Sequence, residues 1–190
     1  MIEFYIGIDN GISSWIAVMD KEGDLIHGFE TPWNEIIVQK GTKSRKEKKR
    51  KVYDLNGIMD LMMYIRQEYG KVFIAIEKSQ PFQSAGKDKT GASRGALSNF
   101  STGYGYGVWT MCLMCFEFRH IVVPARTWQS IFLKGVKGAD TKSKSIEAAI
   151  RRWPKVNFKR TERCRNLDHN LTDAAWIAEY GRRSELGLLS

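Results

Sequence analysis

The pattern of apolar and polar positions opens with three short runs of strand character, residues 3–9, 13–20 and 24–31, rich in β-branched and aromatic types. Asn10-Gly11 separates the first pair and Lys21-Glu22-Gly23 the second, which is turn chemistry for an antiparallel meander that Pro32 ends. Residues 4–8 are almost continuously apolar, as suits a central strand covered on both faces. Leu55, Ile58, Met59, Met62, Met63, Ile65 and Tyr69 then recur at helical spacing within 53–69, and Gly70 stops that helix. Residues 72–76 predict a fourth apolar strand, 103–118 an apolar helix and 121–124 a fifth strand. Further helices are expected at 126–133, at 141–153 with Asp140 or Thr141 as cap, and at 171–183. The order predicts an α/β fold around a five-stranded mixed sheet, three antiparallel strands then two parallel ones, with helices on both faces.

Two segments interrupt this pattern. Residues 43–51 form the densest charge run of the chain, read as a basic loop or arm at about 40–52 that orders on meeting a partner. Residues 78–100 are polar and contain Gly86, Gly91 and Gly95, a long loop of the kind that usually carries function. There is no internal repeat.

Length and composition narrow the class. At 190 residues with 43% apolar content, the chain suits one domain over 1–190 rather than two large ones. The net charge of +9 favours a polyanionic partner, nucleic acid ahead of an anionic membrane. No run is long enough to cross a bilayer, and the first residues lack a signal or transit pattern, so a cytoplasmic or nucleoid-associated protein is expected. Three cysteines argue against a disulfide framework. Cys112 and Cys115 have CxxC spacing, yet they share an apolar helix face within 111–116 and read as core. That helix is apolar almost all round, which suits packing on the sheet and on a second subunit.

The candidate chemistry lies in acids beside apolar runs. Asp9 ends the first strand, Glu77 the fourth, and Asp168 and Asp173 flank His169 just before Ala174-Ala175-Trp176-Ile177-Ala178. His169 and Asp173 stand i,i+4 and share one helix face. Such oxygen ligands with one imidazole suit Mg²⁺ or Mn²⁺. Each residue also has a plainer reading: Asp9 in a turn, Glu77 paired with Lys78 or an arginine, Asp173 at a helix cap, His169 as a structural histidine. Gathered together, the carboxylates would repel one another unless a cation compensates them.

Tyr5-Ile6-Gly7-Ile8-Asp9, Ala75-Ile76-Glu77 and Asp173-Ala174-Ala175-Trp176-Ile177-Ala178 resemble the acid-bearing segments of RuvC-type Holliday junction resolvases. Residues 77–82, 103–109 and 123–128 look like the plastid, monokaryotic-chloroplast branch of that superfamily. The resemblance implies an RNase H-like fold and a homodimer, each subunit holding two Mg²⁺ ions (Mn²⁺ substituting) and nicking one of two opposed strands of a four-way DNA junction. By position it makes Asp9, Glu77, His169 and Asp173 the catalytic metal ligands, with Asp168 as the alternative fourth ligand. Paired symmetric nicks leaving 5′-phosphate and 3′-hydroxyl ends would follow. The chain departs from the bacterial pattern at Asn170, where the fourth ligand usually stands, and at Asn10, where several members have proline.

DNA contacts are expected from several places. Lys134, Lys142 and Lys144 surround a Gly-containing turn at the mouth of a helix. Phe82 resembles the aromatic wedge that resolvases insert at the junction centre, with Lys78, Lys87, Lys89 and Arg94 in the same stretch and Lys48, Lys49 and Arg50 in the basic run. No membrane partner and no small-molecule cofactor are expected. A sugar-kinase or actin-like ATPase would share the first motif but needs a duplicated domain that this length does not hold. Another RNase H-like nuclease or transposase, acting on branched DNA or an RNA–DNA hybrid, would use the same acids. A non-catalytic junction-binding protein would keep the basic surface without needing them.

Overall fold

The computed structural model describes residues 2–40, 46–79 and 96–189, with backbone alone for 96–99. The elements are β1 (Phe4–Ile8), β2 (Trp15–Asp20), β3 (Leu25–Glu30), β4 (Trp33–Gln39), β5 (Lys48–Tyr53), α1 (Leu55–Tyr69) and β6 (Val72–Lys78). After these come α2 (Ala96–Cys115), β7 (Arg119–Pro124), α3 (Ala125–Phe132), α4 (Thr141–Arg152) and α5 (His169–Glu185). Five strands form one sheet in the order β3-β2-β1-β6-β7. β1 to β3 pair antiparallel, while β6 runs parallel to both β1 and β7, which is the expected mixed RNase H-like arrangement.

Strand alternation divides the core. Tyr5, Ala17, Met19, Phe73 and Ala75 pack on the side covered by α3, α4 and α5, with Trp128, Trp153 and Trp176. Ile6, Ile8, Ile16, Val18, Ile74 and Ile76 face the other way, against Ile58, Met62 and Ile65 of α1 and Trp109 and Leu113 of α2. Both faces are therefore dry, as the continuous apolarity of β1 and β6 requires.

Two local features place the site. Ile8 pairs with Ile76 in the parallel register, so the residues that follow, Asp9 and Glu77, leave adjacent strands at the same end. By alternation they lie on the α5 side. Helix α5 sits unusually close to β1: a Cβ at Gly7 would collide with the carbonyl of Ala174 and the amide of Ala178. Glycine on the strand and Ala174, Ala175 and Ala178 on the helix thus bring the backbone around Asp173 down onto β1.

The structure corrects the reading of 40–52. Lys48–Tyr53 is a strand, paired antiparallel with β4 in a separate two-stranded ribbon. Residues 33–39 were given no element by the sequence pattern, because a ribbon wet on both faces lacks apolar/polar alternation: Ile36, Ile37 and Val38 are all exposed. The cations of β5 protect its ladder from stray pairing, which is the strand use of a charge run that also reads as a loop. Residues 41–45, with Lys43 and Arg45, lie outside the described residues.

Helix ends also shift for identifiable reasons. Asp54 accepts from the Gly57 amide (3.1 Å) and starts α1, and Asp140, not Thr141, caps α4 through the Ser143 amide (2.8 Å). Helix α2 opens at Ala96, inside the stretch expected as loop. Among the described residues no helix is long and apolar enough to cross a membrane.

Candidate functional site

Asp9, Glu77 and Asp173 are brought together by these three elements, and their charges act on one another. Burial pushes the Asp9 carboxyl up to about 6, against the Ser14 hydroxyl (2.8 Å to Oδ2) and the Gly11 amide, which favour its ionised form. Glu77 is raised to about 7, by burial first and then by the Asp9 charge, while the Trp128 indole donates to Oε2 at 2.8 Å. Asp173 is raised to about 8, again by burial first and then by Asp9 and Glu77, although Ser145 Oγ donates to it at 2.5 Å. Among the described residues none of the three forms an ion pair with Lys or Arg.

Glu179, one helix turn and more along α5, shows what a structural buried acid looks like here. It is fully buried and holds Arg182 at 2.8 Å and Arg183 at 2.7 Å. Asp9, Glu77 and Asp173 are instead held by neutral donors, two hydroxyls and an indole, which orient them without cancelling their charge.

Asn10 joins the parts. Its Nδ2 donates to the Glu77 carbonyl (2.5 Å), its Oδ1 accepts from Ser79 Oγ (2.9 Å), and its carbonyl accepts from Tyr53 Oη (2.8 Å). A single buried amide thereby ties the ends of β1 and β6 to the last residue of the ribbon. Ser145 is similarly built in, bridging Thr172 Oγ1 (2.9 Å) and receiving the Trp176 indole on its carbonyl (3.2 Å).

Asp168 and His169 play different parts. Asp168 is the N-cap of α5: Oδ1 accepts from the Asn170 amide (3.0 Å), and Oδ2 accepts from the Trp15 indole (2.9 Å) and Arg160 Nε (2.8 Å). Both oxygens are engaged in holding the helix end. His169 is half-buried at the first helical position, and the charges acting on it are Lys142, Asp168, Asp140 and Arg160. Burial, then Lys142, holds its imidazole below the ordinary value, so it is neutral near pH 7.

Of the expected DNA contacts, Lys78, Lys134 and Lys142 are exposed and Lys144 half-buried. Lys142 lies close enough to act on both Asp173 and His169. Lys48, Lys49 and Arg50 are exposed on β5, with Lys49 paired to Glu35 at 3.0 Å. Phe82, Lys87, Lys89 and Arg94 lie outside the described residues. Cys112 is buried against Met59 (Sγ to Sδ 3.9 Å), but Cys115 is exposed, so only the first of the two cysteines is core and the expectation of one shared buried face is corrected.

The donor chemistry suits a hard divalent cation: carboxyl oxygens, each raised by burial, that form no ion pair with Lys or Arg among the described residues. Among the described residues no group of three His, Cys, Asp or Glu side chains is placed to hold a metal ion, so the three acids are linked through their charges and not through a ready ligand cage.

Sequence reading did not assign Ser14, Trp128 and Ser145 to the site. Ser145 and Ser14 carry no local signal, for a serine in a helix or beside a turn is ordinary. Trp128 could have been noticed as a large indole that needs a hydrogen-bond acceptor when fully buried.

No protein-family model and no curated protein matches the sequence. Solved structures do. The chain is similar to T. thermophilus RuvC in complex with a Holliday junction substrate, at 12% identity and a TM-score of 0.57, covering 98% of this chain and 97% of that one. A second Thermus thermophilus RuvC structure aligns at 13% identity and a TM-score of 0.49, over 96% of both chains. The chain therefore has the fold of RuvC.

Proposed function

We propose that this protein is a divalent-metal-dependent endonuclease that resolves four-way DNA junctions by paired symmetric nicks, working as a homodimer. The observation that carries the reading is the cluster of Asp9, Glu77 and Asp173, three carboxyls whose charges act on one another and which form no ion pair among the described residues, at the ends of adjacent parallel strands and on the helix across them. A structural role does not need that cost, and a phosphodiester-cleaving site does. The fold shared with RuvC, which has been solved on a junction, supports the choice of substrate. The segments 77–82, 103–109 and 123–128 favour the plastid-type branch of resolvases.

Asp9, Glu77 and Asp173 would hold two Mg²⁺ ions, with His169 as fourth ligand and Mn²⁺ as a substitute. When bound, the ions supply Lewis-acid stabilisation of phosphate charge and a more acidic water. The chain's own residues do the rest. Ser14, Trp128 and Ser145 fix the carboxylate rotamers, Asn10 fixes the spacing of the two strand ends, and neutral His169 can accept a proton. The second subunit would seat on α2, where Tyr104, Met111 and Met114 are exposed and Phe100 is 72% exposed.

The test is cleavage of a mobile four-way junction, a linear duplex, a flap and an RNA–DNA hybrid, each in Mg²⁺ and in EDTA. Paired nicks in the junction alone, abolished by EDTA, are expected. Preferential cutting of the hybrid or flap would move the protein to another RNase H-like activity, and junction binding without any cleavage would make it an architectural binder.

A further inference from the structure

The connection from α4 to α5 is long, basic and held in place. Trp153 is buried and donates its indole N–H to the Gly23 carbonyl (2.8 Å), and Phe158, 1% exposed, packs on it with ring centroids 6.2 Å apart. The Asp168 amide bonds back to the Phe158 carbonyl (2.7 Å), and the Cys164 amide to the Thr161 carbonyl (3.0 Å). Arg160 closes the arrangement by reaching Asp168 (2.8 Å) and the Ser13 carbonyl (2.6 Å). On this frame stand Lys155, Lys159, Arg163 and Arg165, with Glu162 the one acid between 155 and 166. Among the described residues no ion pair reaches any of those four cations.

The connection also meets the basic ribbon. Lys51 of β5 lies over the Trp33 ring (3.8 Å) and donates to Ser13 Oγ (3.2 Å), while Arg160 and Asn170 donate to the carbonyl of the same residue. Ser13 is the neighbour of Ser14, which holds Asp9. Two cation-bearing elements, far apart in sequence, thus converge on the turn that supports the first acid.

We propose that the α4–α5 connection is a second DNA-contacting element, joined to the ribbon at Ser13 in one cationic track past Asp9, and that this track takes the phosphates of duplex flanking the cut. The inference extends the nuclease reading by naming a surface and what it grips. Charge complementarity selects nucleic acid, and the exposed residues of the connection favour it over a bilayer: Pro154, Lys155, Asn157, Thr161, Glu162, Arg163, Arg165 and Asn166 include no large apolar side chain to insert. Because the frame is already fixed by Trp153 and Phe158, binding loses little conformational freedom.

The test uses the full chain in EDTA, measuring anisotropy of a labelled linear duplex and a labelled four-way junction across a salt series. Each phosphate contact adds about 0.9 to the slope of log affinity against log salt, so Lys159→Gln/Arg163→Gln/Arg165→Gln should flatten the slope by about two to three on both probes. Lys48→Gln/Arg50→Gln should flatten it by about two, and the two sets should add. An unchanged slope in the connection variant, with a wild-type melting temperature, overturns the inference, as does wild-type protein that binds neither probe. Should the triple variant not fold, Arg163→Gln at its exposed site should still lower the slope by about one, and no change there is equally fatal. Junction cutting in Mg²⁺ with unaltered slopes refutes this surface and leaves the nuclease reading. Flattened slopes in a protein that never cuts do the reverse.

Discussion

Replacing Asp9 by asparagine should inactivate the protein and stabilise it at the same time, but only above a certain pH. The carboxyl is raised from 3.8 to about 6 in the folded state, mainly by burial. A group with a raised folded value binds its proton more tightly when folded, so the stability it gives is fully present below about 4 and is lost as pH rises through about 6. At ~1.4 kcal/mol per pH unit, the loss is about 3 kcal/mol by pH 8. Asparagine cannot ionise and escapes it. It keeps one oxygen for Ser14 Oγ but gives up the second acceptor, at a cost of about 1 kcal/mol. The net gain of about 2 kcal/mol corresponds to about 5 °C in melting temperature for a chain of this size. The assay is thermal unfolding in EDTA at pH 5 and pH 8, with junction cleavage in Mg²⁺ alongside. The variant should melt about 5 °C above wild type at pH 8, show a much smaller difference at pH 5, and cut at least a hundredfold more slowly, the scale of losing a group that stabilises transition-state charge. Equal melting at pH 8, or near-normal cutting, would refute the account of the site.

Gly7→Ala should lower the melting temperature sharply or leave the protein insoluble, because its methyl meets the backbone of α5, at a cost of 3 kcal/mol or more by the overpacking scale of about 1–3; unfolding of the soluble variant by urea checks this. Asp168→Ala should destabilise by about 2 kcal/mol through loss of the cap and the Arg160 pair, whereas His169→Ala should lose activity with little change in melting. The opposite pattern would transfer the fourth-ligand role to Asp168. Sedimentation at assay concentration should find a dimer that Met111→Glu/Met114→Glu converts to monomer with its fold intact, and an unchanged dimer would clear α2 of the role.

The two acids on strands were legible because a carboxylate ending an unbroken apolar run is an exception to the pattern around it. The centre of the five-stranded sheet was legible for the same reason, since β1, β2 and β6 bury both faces and say so in Ile6, Ile8, Ile74 and Ile76. The ribbon was not, because its strands bury little beyond Tyr53 and so have no pattern to announce them, and Lys48 to Lys51 read as a loop. The donors around the acids were hidden for another reason. Ser14, Ser145 and Trp128 matter through where the fold puts them, and that placement comes from contacts such as Ser145 with Thr172 that join distant parts of the chain. Asp168 and His169 show the limit most sharply: adjacent in sequence, with His169 the expected ligand and Asp168 the alternative, they are separated by a cap that only the helix start at His169 defines.

On the proposed reading, protons and a divalent cation would compete for the same oxygens in this site. With Asp173 raised to about 8 and Glu77 to about 7, the cluster near neutrality carries bound protons, and Asp9 is the member most fully ionised. Binding of a divalent ion must therefore release protons, and the site must strengthen as pH rises through that range. The neutral donors are what make the competition possible. A carboxylate locked by arginines, as Glu179 is by Arg182 and Arg183, has no need of an ion and no reason to exchange one. Held by Ser14, Ser145 and Trp128, the three acids keep their geometry in either state while their charge stays available. The rigidity comes from elsewhere, from the close seat of α5 on Gly7 and from the sheet core on both sides, so that the charged cluster is framed by buried apolar packing.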